Sequence, residues 1–514
     1  MTDHVSVVAS VPLTSLADLS SVPKALEEGA DLVELRLDYL PGLDLETLRK
    51  EILPKLPRDK IIITVRDPRE GGVKPFSNPD RLALLKAASE AGCCIDVEVR
   101  NVEYMRSVID HTVRPDARTI ISVHDPTTKS AKELGARVPI WARRSSWVVK
   151  GAYPARTWGE MCDIVGASGQ VKRDAERYAL MGMGPFGPVS RYILPSYGTS
   201  LVYCSFGKAT APGQVSLADF IPVLRSVGAE ARESWLGLLG NGISYSVSPQ
   251  INNAALRALG LNWAYIPFDL PPESVEFLRE LRDTRHGPRP IGLNVTTPYK
   301  ERVIGLMDDL DSEAKAVGAV NTILVGEKLL GANTDVGGYE DALSEAGAPL
   351  HETTLLIGAG GAARAAAYVA HKHGAKLWIA NRTPEKAEKL AKEFGAERVA
   401  GALDAAALAP RATVIVNCTP VTTREDPLRL AKFSDSQYVM DMVYRPRMTK
   451  LLEHAREDGA RIVEGLDMLV AQAARSLELW TGKDAPRDVM KRTAREALAA
   501  QGEKFTDAHR LAAK

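Results

Sequence analysis

The sequence predicts an α/β protein that begins with a (β/α)8 barrel and continues into a two-domain α/β region with a Rossmann-type nucleotide domain. In the first half, short apolar segments recur at intervals of roughly 25–30 residues, the period of a βα unit. Polar residues follow these segments at the same end. A glycine-rich turn at 358–363 stands between an apolar segment and an alanine-rich one. A length of 514 residues also predicts two or three domains.

The composition limits the classes of function. The chain has 65 Lys and Arg against 65 Asp and Glu, a formal net charge of zero, which argues against bulk binding of nucleic acid or of a membrane surface. No apolar run is long enough to span a bilayer. Five cysteines lack metal spacing and disulfide density, which indicates a reducing compartment. A predicted strand starts at residue 5, so we expect no signal or transit peptide and a cytoplasmic location, or the plastid stroma if a plant transit peptide was removed.

Eight strands are predicted in the first half, with helices such as 79–91 and 158–165 between them. Eight βα units predict a closed barrel, and such barrels place catalysis at the carboxyl ends of their strands. The predicted strands are 5–10, 32–37, 61–65, 94–99, 119–124, 147–151, 178–182 and 201–206.

The sixth predicted strand ends on Lys150. Desolvation at the end of an apolar strand disfavours an ammonium and makes the free amine available as a nucleophile. Schiff-base chemistry on a ketone requires such an amine. The alternative is a lysine that only extends past the strand end into solvent.

Polar residues at the ends of the other barrel strands favour the catalytic interpretation of Lys150. Alternating charges in a strand can mark a solvated edge, but a closed barrel has no such edge. We therefore expect these side chains to meet at one rim, around an active site. They are Glu34, Arg36, Arg66, Glu70, Asp96, Glu98, His124, Arg191, Thr210 and Gln214.

Residues 1 to about 225 resemble the type I 3-dehydroquinate dehydratases. The resemblance is carried by Glu-Leu-Arg-Leu-Asp at 34–38, Arg66 with Glu70, His124, Lys150, Ser190-Arg191 and Ala-Pro-Gly-Gln at 211–214. It implies that Lys150 forms an iminium with the substrate ketone, that His124 moves the protons, and that Glu70 orients His124. It further implies that the substrate carboxylate binds Arg191 with Gln214 and Thr210, and that the hydroxyls and remaining charge bind Glu34, Arg36 and Arg66.

The second half begins with polar residues at predicted strand ends and at a helix start. Ser246 and Ser248 precede a helix that Pro249 can begin, and such a start favours a carboxylate, although an ordinary N-cap is the alternative. Amides and hydroxyls at strand ends suit a polyhydroxylated ring, because each ring hydroxyl needs a donor and an acceptor. These residues are Asn294, Thr296, Lys300, Asn321, Thr334 and Asp335.

A dinucleotide fingerprint follows the predicted strand 353–357. It consists of Gly358, Ala359, Gly360, Gly361 and Ala362, and an alanine-rich helix follows it. The second strand ends in Asn381-Arg382-Thr383, where the arginine stands in place of a carboxylate and favours a 2′-phosphate, hence NADP(H). His371 and His373 face different ways on one helix, so we expect no metal site.

Residues from about 237 to 500 resemble shikimate dehydrogenase. The resemblance is carried by Ser246-x-Ser248-Pro, 294–300, Asn321-Thr, 333–335, 358–363, Asn381-Arg-Thr and Gly465-Leu-x-Met-Leu with Gln472. It implies that Lys300 and Asp335 are the acid/base pair, both at strand ends facing a cleft. It implies further substrate-binding residues, namely Ser246, Ser248, Asn294, Thr296, Asn321, Thr334, Tyr444 and Gln472. It also implies that NADP(H) binds the fingerprint, residues 381–383, Thr419, Met442 and Gly465.

The two resemblances imply a bifunctional enzyme of the shikimate pathway, which makes precursors of the aromatic amino acids. The first half would convert 3-dehydroquinate to 3-dehydroshikimate, and the second would reduce that product to shikimate. The expected domains are 1–230, 231–340 with helices from 466–500, and 341–465. One alternative is a quinate-directed reductase, for which we would expect glycine in place of Ser248. Another is a non-catalytic sensor, for which we would expect loss of Lys150, His124, Lys300 or Asp335.

Overall fold

The computed structural model describes residues 5–110, 118–125, 127, 130–228, 232–281, 288–419 and 426–501. The chain divides into two compact units, Met1–Trp235 with Ile266–Arg289, and Leu236–Tyr265 with Pro290–Lys514. The expected boundary at 230/231 falls outside the described residues. Within the described ranges, none of the helices is both long and apolar enough to cross a membrane.

The first unit contains the predicted barrel. Its eight strands are parallel and pair in the order β7-β6-β5-β4-β3-β2-β1-β8, so the sheet is nearly closed. Each predicted strand overlaps an observed one, which confirms the barrel. The strands are β1 (Ser6–Pro12), β2 (Leu32–Arg36), β3 (Ile61–Thr64), β4 (Cys94–Glu98), β5 (Thr119–His124), β6 (Val148–Pro154), β7 (Tyr178–Met183) and β8 (Leu201–Ser205).

Helices connect successive barrel strands, as parallel pairing requires. The longest, α7, starts at a Thr157 cap and carries its apolar side chains on the face that packs on the barrel. The helices are α1 (Ser21–Glu27), α2 (Leu45–Thr47), α3 (Asn78–Glu90), α4 (Arg106–Ile109), α5 (Leu134–Arg137), α6 (Ile140–Ser145), α7 (Trp158–Asp174), α8 (Gly187–Ile193) and α9 (Leu217–Val227).

The second unit begins with a mixed six-stranded sheet, in the order β10-β9-β11-β13-β14-β12. Antiparallel pairing of β11 with β13, and of β13 with β14, brings the ends of these strands together. The strands are β9 (Ser234–Gly240), β10 (Trp263–Asp269), β11 (Pro290–Val295), β12 (Asp309–Leu310), β13 (Thr322–Val325) and β14 (Leu329–Ala332). The helices along this stretch of sequence are α10 (Ser248–Ala258), α11 (Phe277–Glu280), α12 (Ser312–Val317) and α13 (Thr334–Glu345), of which α11 belongs to the first unit.

Part of this sequence stretch, Ile266–Arg289, belongs to the first unit. The reason is aromatic packing. The rings of Phe268 and Phe277 lie 5.9 and 5.8 Å from that of Trp158 at the start of α7, and all three side chains are buried.

The last sheet is all parallel, in the order β17-β16-β15-β18-β19-β20, the doubly wound order that binds dinucleotides. This confirms the predicted Rossmann-type domain. Its strands are β15 (Thr354–Ile357), β16 (Leu377–Asn381), β17 (Arg398–Gly401), β18 (Val414–Asn417), β19 (Tyr438–Asp441) and β20 (Arg461–Glu464). The helices are α14 (Gly361–Lys372), α15 (Pro384–Phe394), α16 (Ala405–Leu408), α17 (Lys450–Glu457), α18 (Gly465–Thr481) and α19 (Arg487–Gln501).

Candidate active sites

A cavity of about 410 Å³ opens at the carboxyl ends of the barrel strands. All nine residues assigned to the first site by sequence line it, although they come from six different strands or the loops that follow them. They are Glu34, Arg36, Arg66, Glu70, His124, Lys150, Arg191, Thr210 and Gln214.

Lys150 is the third residue of β6, not its last, so the prediction that the strand ends on the lysine is wrong. The strand continues through Gly151 to Pro154, because the ladder to β5 is kept at Val123↔Gly151 and His124↔Ala152. Glycine is required there, since an added Cβ would lie 2.6 Å from the ring of Tyr153. Lys150 therefore points into the barrel from within the strand, and its side chain is only 3% exposed.

Carboxylates surround the ammonium of Lys150. Its Nζ lies 3.0 Å from Asp96 Oδ2 and 3.5 Å from Glu34 Oε1. Arg66 reaches the same group, with its guanidinium 3.0 Å from both Asp96 and Glu98. Although burial opposes it, the charges of Arg66 and Lys150 lower the pKa of the Asp96 carboxyl. The lysine is thus held by a charged network in the barrel interior rather than by apolar surroundings alone.

His124 and Glu70 form a pair at the cavity wall. One oxygen of Glu70 accepts from the backbone N–H of His124 at 2.8 Å and lies 3.2 Å from its Nδ1. The other oxygen accepts from Arg100 Nε at 2.8 Å. Burial, and next the charges of Arg66 and Lys150, lower the pKa of His124 well below its usual value. The imidazole therefore sits in its neutral form, which can accept a proton.

Two further cavity arginines, Arg36 and Arg191, differ in how their charge is balanced. Arg36 forms a two-pronged ion pair with Asp38, with both distances 2.8 Å. Arg191 is buried, and its Nε and Nη1 donate to the carbonyls of Tyr203, Gly182 and Gly187. Burial lowers the pKa of Arg191 to about 10. Among the described residues Arg191 is the one cavity-lining arginine without a carboxylate partner, so its charge is not balanced by a carboxylate of the described chain.

Thr210 and Gln214 lie in the loop after β8. The side-chain oxygen of Gln214 accepts from the backbone N–H groups of Thr210 and Ala211 at 2.8 and 3.2 Å, so it holds the loop in a tight turn. Ser10 links this loop to the catalytic rim, because its hydroxyl lies 2.9 Å from Thr210 Oγ1 and 2.6 Å from Glu34 Oε2.

In the second unit, Lys300 and Asp335 form an ion pair with 2.5 Å between Nζ and Oδ2. The other oxygen of Asp335 accepts from Asn321 Nδ2 at 2.9 Å. Sequence reasoning placed Asp335 at a strand end, and this is wrong. It lies in the first turn of α13, which Asn333 caps by accepting from the N–H groups of Asp335 and Val336.

A buried network of amides and hydroxyls surrounds this pair. Asn321 Nδ2 lies 2.9 Å from Thr334 Oγ1 and 3.4 Å from Gln472 Oε1. Asn294 accepts from the hydroxyl of Tyr265 at 2.8 Å and donates to Ser476 at 2.9 Å. The structure thus brings Asn294, Asn321, Thr334 and Gln472 together with the Lys300–Asp335 pair.

Four further predicted substrate residues lie apart from these hydrogen bonds. Ser246 and Ser248 are buried at the start of α10, where the N–H of Ser248 donates to Ser246 Oγ at 3.2 Å. Thr296 is half-buried just after β11, and burial raises the pKa of Tyr444. Across the described chain, no hydrogen bond joins these four residues to Lys300 or Asp335.

The predicted nucleotide residues gather at the carboxyl ends of the last sheet. Gly358 has φ +113°, a left-handed value that favours glycine, and a Cβ there would lie 3.0 Å from Thr419. At Gly360 and Gly361 a Cβ would enter open space, and no side chain caps α14. The open N-terminus of α14 therefore fits a pyrophosphate.

The neighbouring strand ends complete this nucleotide surface. Asn381 donates to the carbonyl of Thr383 at 2.8 Å, which shapes the turn that presents the exposed Arg382. A Cβ on Gly465 would meet the carbonyls of Asp441 and Met442 at 2.7 Å, so α18 can start only by close approach to β19. Ala359 and Ala362 flank the glycines of the turn. These residues fit NADP(H).

Sequence reasoning missed several site residues. Asp96 and Glu98 were noted as polar strand residues but given no role. Tyr203, Tyr265 and Ser476 lie inside apolar segments with no local signal to mark them. As for metals, His371 Nδ1 lies 3.1 Å from the Phe394 carbonyl and His373 Nε2 lies 2.7 Å from Glu340, and the described residues contain no group of three metal-type ligands.

Family models match four parts of the chain. Residues 7–231 match type I 3-dehydroquinase, and residues 238–323 match the shikimate dehydrogenase substrate binding domain. Residues 341–436 match shikimate / quinate 5-dehydrogenase, and residues 465–495 match the shikimate 5'-dehydrogenase C-terminal domain. These matches agree with the two resemblances seen in the sequence.

Relatives span either the whole chain or its second half. A shikimate dehydrogenase (NADP(+)) of Methanopyrus kandleri is 40% identical over 290 residues, which is 53% of this chain and 99% of that protein. The crystal structure of the Thermus thermophilus shikimate 5-dehydrogenase with NADP(H) and shikimate is 36% identical, covers 51% of this chain and 99% of that one, and has a TM-score of 0.47. The chloroplastic bifunctional 3-dehydroquinate dehydratase/shikimate dehydrogenase of Arabidopsis thaliana is 32% identical over 499 residues, which is 91% of this chain and 80% of that protein. The chain therefore belongs to the family of bifunctional 3-dehydroquinate dehydratase/shikimate dehydrogenases.

Proposed function

We propose that the first half of the chain dehydrates 3-dehydroquinate through an imine on Lys150, and that the second half reduces the product to shikimate with NADPH. The observation that carries the first reaction is one cavity containing a buried lysine, a histidine whose pKa is lowered and an arginine that lacks a carboxylate partner among the described residues. A ketone that bears a carboxylate meets all three groups at once. The cofactor is NADP(H), and no metal takes part.

The dehydration begins with addition of the Lys150 amine to the ketone. The carbonyl oxygen leaves as water, and a protonated imine forms on the lysine nitrogen. Ketone and ammonium thus give iminium and water, so atoms and charge balance. The iminium withdraws electrons from the neighbouring carbon and weakens its C–H bond. The buried position of Lys150 keeps solvent from hydrolysing this intermediate early.

His124 takes the proton from the carbon next to the iminium. It can do so because its low pKa leaves the imidazole neutral. The same nitrogen then returns a proton to the departing hydroxyl, which leaves as water. Glu70 holds the ring through its contacts to the backbone N–H and Nδ1 of His124. Water finally hydrolyses the product iminium, releases 3-dehydroshikimate and regenerates Lys150.

Substrate binding in the barrel depends on charge. Arg191, which pairs with no carboxylate of the described chain, binds the carboxylate of 3-dehydroquinate, helped by Thr210 and Gln214 in the adjoining loop. The ring hydroxyls meet Glu34, Arg36 and Arg66 on the opposite strands of the cavity. The substrate anion thereby serves as the counter-ion of Arg191.

The reduction uses the Lys300–Asp335 pair. Bound NADPH supplies a hydride to the carbonyl carbon of 3-dehydroshikimate. Lys300 donates a proton to the carbonyl oxygen, and Asp335 holds the lysine in position through the 2.5 Å contact. The hydroxyls of the ring bind Asn294, Thr296, Asn321, Thr334, Gln472 and Tyr444, and the carboxylate binds Ser246 and Ser248.

The nucleotide lies along the carboxyl ends of the last sheet. The pyrophosphate binds the open start of α14 at Gly360 and Gly361, with Gly358, Ala359 and Ala362 shaping the turn. Arg382, with Asn381 and Thr383, binds the 2′-phosphate. Thr419, Met442 and Gly465 would complete the surface that holds the cofactor.

We further propose domain limits of 1–230, 231–340 with 466–500, and 341–465. Both reactions act on small molecules and need neither nucleic acid nor a membrane. The compartment is the cytoplasm, or the plastid stroma if this is a plant protein whose transit peptide has been removed; the relative from Arabidopsis thaliana is chloroplastic.

One experiment tests both reactions. Purified protein is given 3-dehydroquinate with and without NADPH, and the products are identified by mass spectrometry. Without NADPH only 3-dehydroshikimate should appear, and with NADPH shikimate should follow. Conversion of 3-dehydroquinate to quinate in place of shikimate would support a quinate-directed reductase, and no turnover of either compound would support a sensor.

A further inference from the structure

The ring of Tyr203 lies directly beneath the amine of Lys150. The centroid of the ring is 3.8 Å from Nζ, inside the range in which an aromatic face attracts a cation. Tyr203 and Lys150 are 2% and 3% exposed, so water does not screen this contact. A lysine or a tyrosine in an apolar strand does not by itself predict a contact between the two side chains. Closure of the barrel brings β8, with Tyr203, near β6, with Lys150.

The ring of Tyr203 has a fixed position. Tyr203 lies in β8 opposite Val8 of β1 and packs in the barrel core with Leu32 and Cys94. Its hydroxyl is buried and has no hydrogen-bond partner in the described part of the chain. Tyr203 is therefore held by packing of its ring, and its polar atom takes no part in the described network.

Imine formation changes what the lysine nitrogen can bind. An ammonium has three N–H donors, and one of them donates to Asp96 at 3.0 Å, while Glu34 forms an ion pair with the same nitrogen at 3.5 Å. A protonated imine has one N–H, so at most one carboxylate oxygen can accept a hydrogen bond from it. The aromatic face requires no N–H, because it responds to the positive charge itself. Asp96 and Glu34 attract the charge of either state, but the imine leaves them fewer N–H donors, whereas the ring face of Tyr203 needs no donor in either state.

From this geometry we propose that Tyr203 is a positioning residue of the dehydratase, whose ring face holds the charged nitrogen of Lys150 as the iminium forms. The inference rests on the proposed function, since it concerns the imine on Lys150. The ring stabilises the cation relative to the neutral carbinolamine that precedes it, and it does so without a proton transfer. The hydroxyl is dispensable.

The test distinguishes the electrostatic attraction of the ring face for a cation from the shape of the ring. Phenylalanine and its mono-, di- and trifluorinated forms are placed at position 203 of the full chain. Fluorine is close to hydrogen in size but withdraws electrons from the ring, so each added fluorine weakens the attraction for a cation. Tyr203→Phe should retain the dehydratase kcat within about twofold, because a phenyl face also attracts cations.

Along the fluorinated series, kcat and the rate of borohydride trapping at Lys150 should fall in step, by about tenfold at trifluorophenylalanine. KM for 3-dehydroquinate should change much less. The same series at Phe220, a buried aromatic of α9, is the matched control and should show no trend. Shikimate oxidation by each preparation reports that the second unit is folded, and an almost unchanged KM for 3-dehydroquinate reports that the barrel is folded.

The outcomes are distinct. If wild-type enzyme yields no borohydride adduct on Lys150 during turnover, both the imine mechanism and the role of Tyr203 are wrong. If the adduct forms but kcat and trapping are flat along the fluorinated series, the imine mechanism stands and the role of Tyr203 is overturned. A graded fall at 203 with a flat series at 220 supports the inference.

Discussion

Lys150 and Lys300 each sit beside a carboxylate at the centre of a predicted active site, but in very different surroundings. The side chain of Lys150 is 3% exposed and has two carboxylates and an aromatic face around it. The side chain of Lys300 is 28% exposed and pairs with Asp335. A lysine that bonds covalently to its substrate needs protection from water throughout the reaction. A lysine that donates one proton needs only a neighbouring group that holds its side chain in the right orientation.

The folds explain this contrast. In the barrel, side chains from neighbouring strands converge on one axis, so Glu34, Asp96 and Tyr203 can enclose a residue inside a strand. In the second unit, Lys300 lies in the turn after β11 and Asp335 in the first turn of α13. Because β11 ends and α13 begins at this site, neither element covers it, and a nucleotide can approach Lys300 and Asp335.

The largest effect is expected from Lys150→Ala. Loss of the nucleophile should lower the dehydratase kcat by at least about 10⁴-fold, while shikimate oxidation stays unchanged because the second unit has its own core. Both activities are assayed on one preparation. The exposed Lys172, on α7, provides the matched control, and Lys172→Ala should leave both rates as they are. A parallel loss of both activities would show that the two sites are not independent.

Lys300→Ala should have the next largest effect, with the reverse pattern. Losing the proton donor should lower the dehydrogenase kcat by about 10²–10⁴-fold. KM for shikimate should change only a few-fold, since the ring is bound by neighbouring amides and hydroxyls. Steady-state kinetics on the mutant and on the exposed Lys328→Ala control measure this. A change in KM with kcat unaltered would mean that Lys300 only binds substrate.

Arg382→Ala should change cofactor choice rather than catalysis. A guanidinium pairs with the 2′-phosphate of NADP, and its loss should lower the NADP-to-NAD ratio of kcat/KM by about ten- to hundredfold. The exposed Arg456, on α17, is a control whose replacement by alanine should leave the ratio unchanged. If the ratio is kept in Arg382→Ala, another group of the loop selects the cofactor.

The smallest effect is a shift in pH dependence confined to the barrel. Burial and the charges of Arg66 and Lys150 lower the pKa of His124 well below its usual 6.5, so the neutral base persists below that pH. The acid limb of the dehydratase kcat/KM should therefore have its midpoint below pH 6.5. A midpoint at or above 6.5 would contradict this assignment.

The same shift has a consequence for stability. The unfolded chain protonates His124 near pH 6.5, whereas the folded chain does so only at lower pH. The unfolded state thus binds more protons between these two values, and the free energy of unfolding of the first unit should fall as pH drops below 6.5. Urea titrations at several pH values, with His124→Gln as the comparison, measure this.

The sequence by itself determined the fold class and most of each site. Barrel strands and the nucleotide domain followed from apolar periodicity and the 358–363 turn, which are local features of the chain. The nine assigned barrel residues were found because βα units place strand ends at one rim, whatever the details of packing. Topology alone was enough to group them.

Only the tertiary structure decided what each of these residues touches. The closest partners of Lys150 are Asp96, 54 positions away, and Tyr203 in the last strand. Asn294 meets Ser476 across 182 positions. Strand periodicity indicates which face a residue occupies but not its neighbour on another strand, because register and closure set that distance. Gly151 is a further example of what local sequence does not reveal. From the sequence the glycine marks the end of the predicted strand, whereas in the structure the strand continues and two packed side chains leave no room for a Cβ at this position.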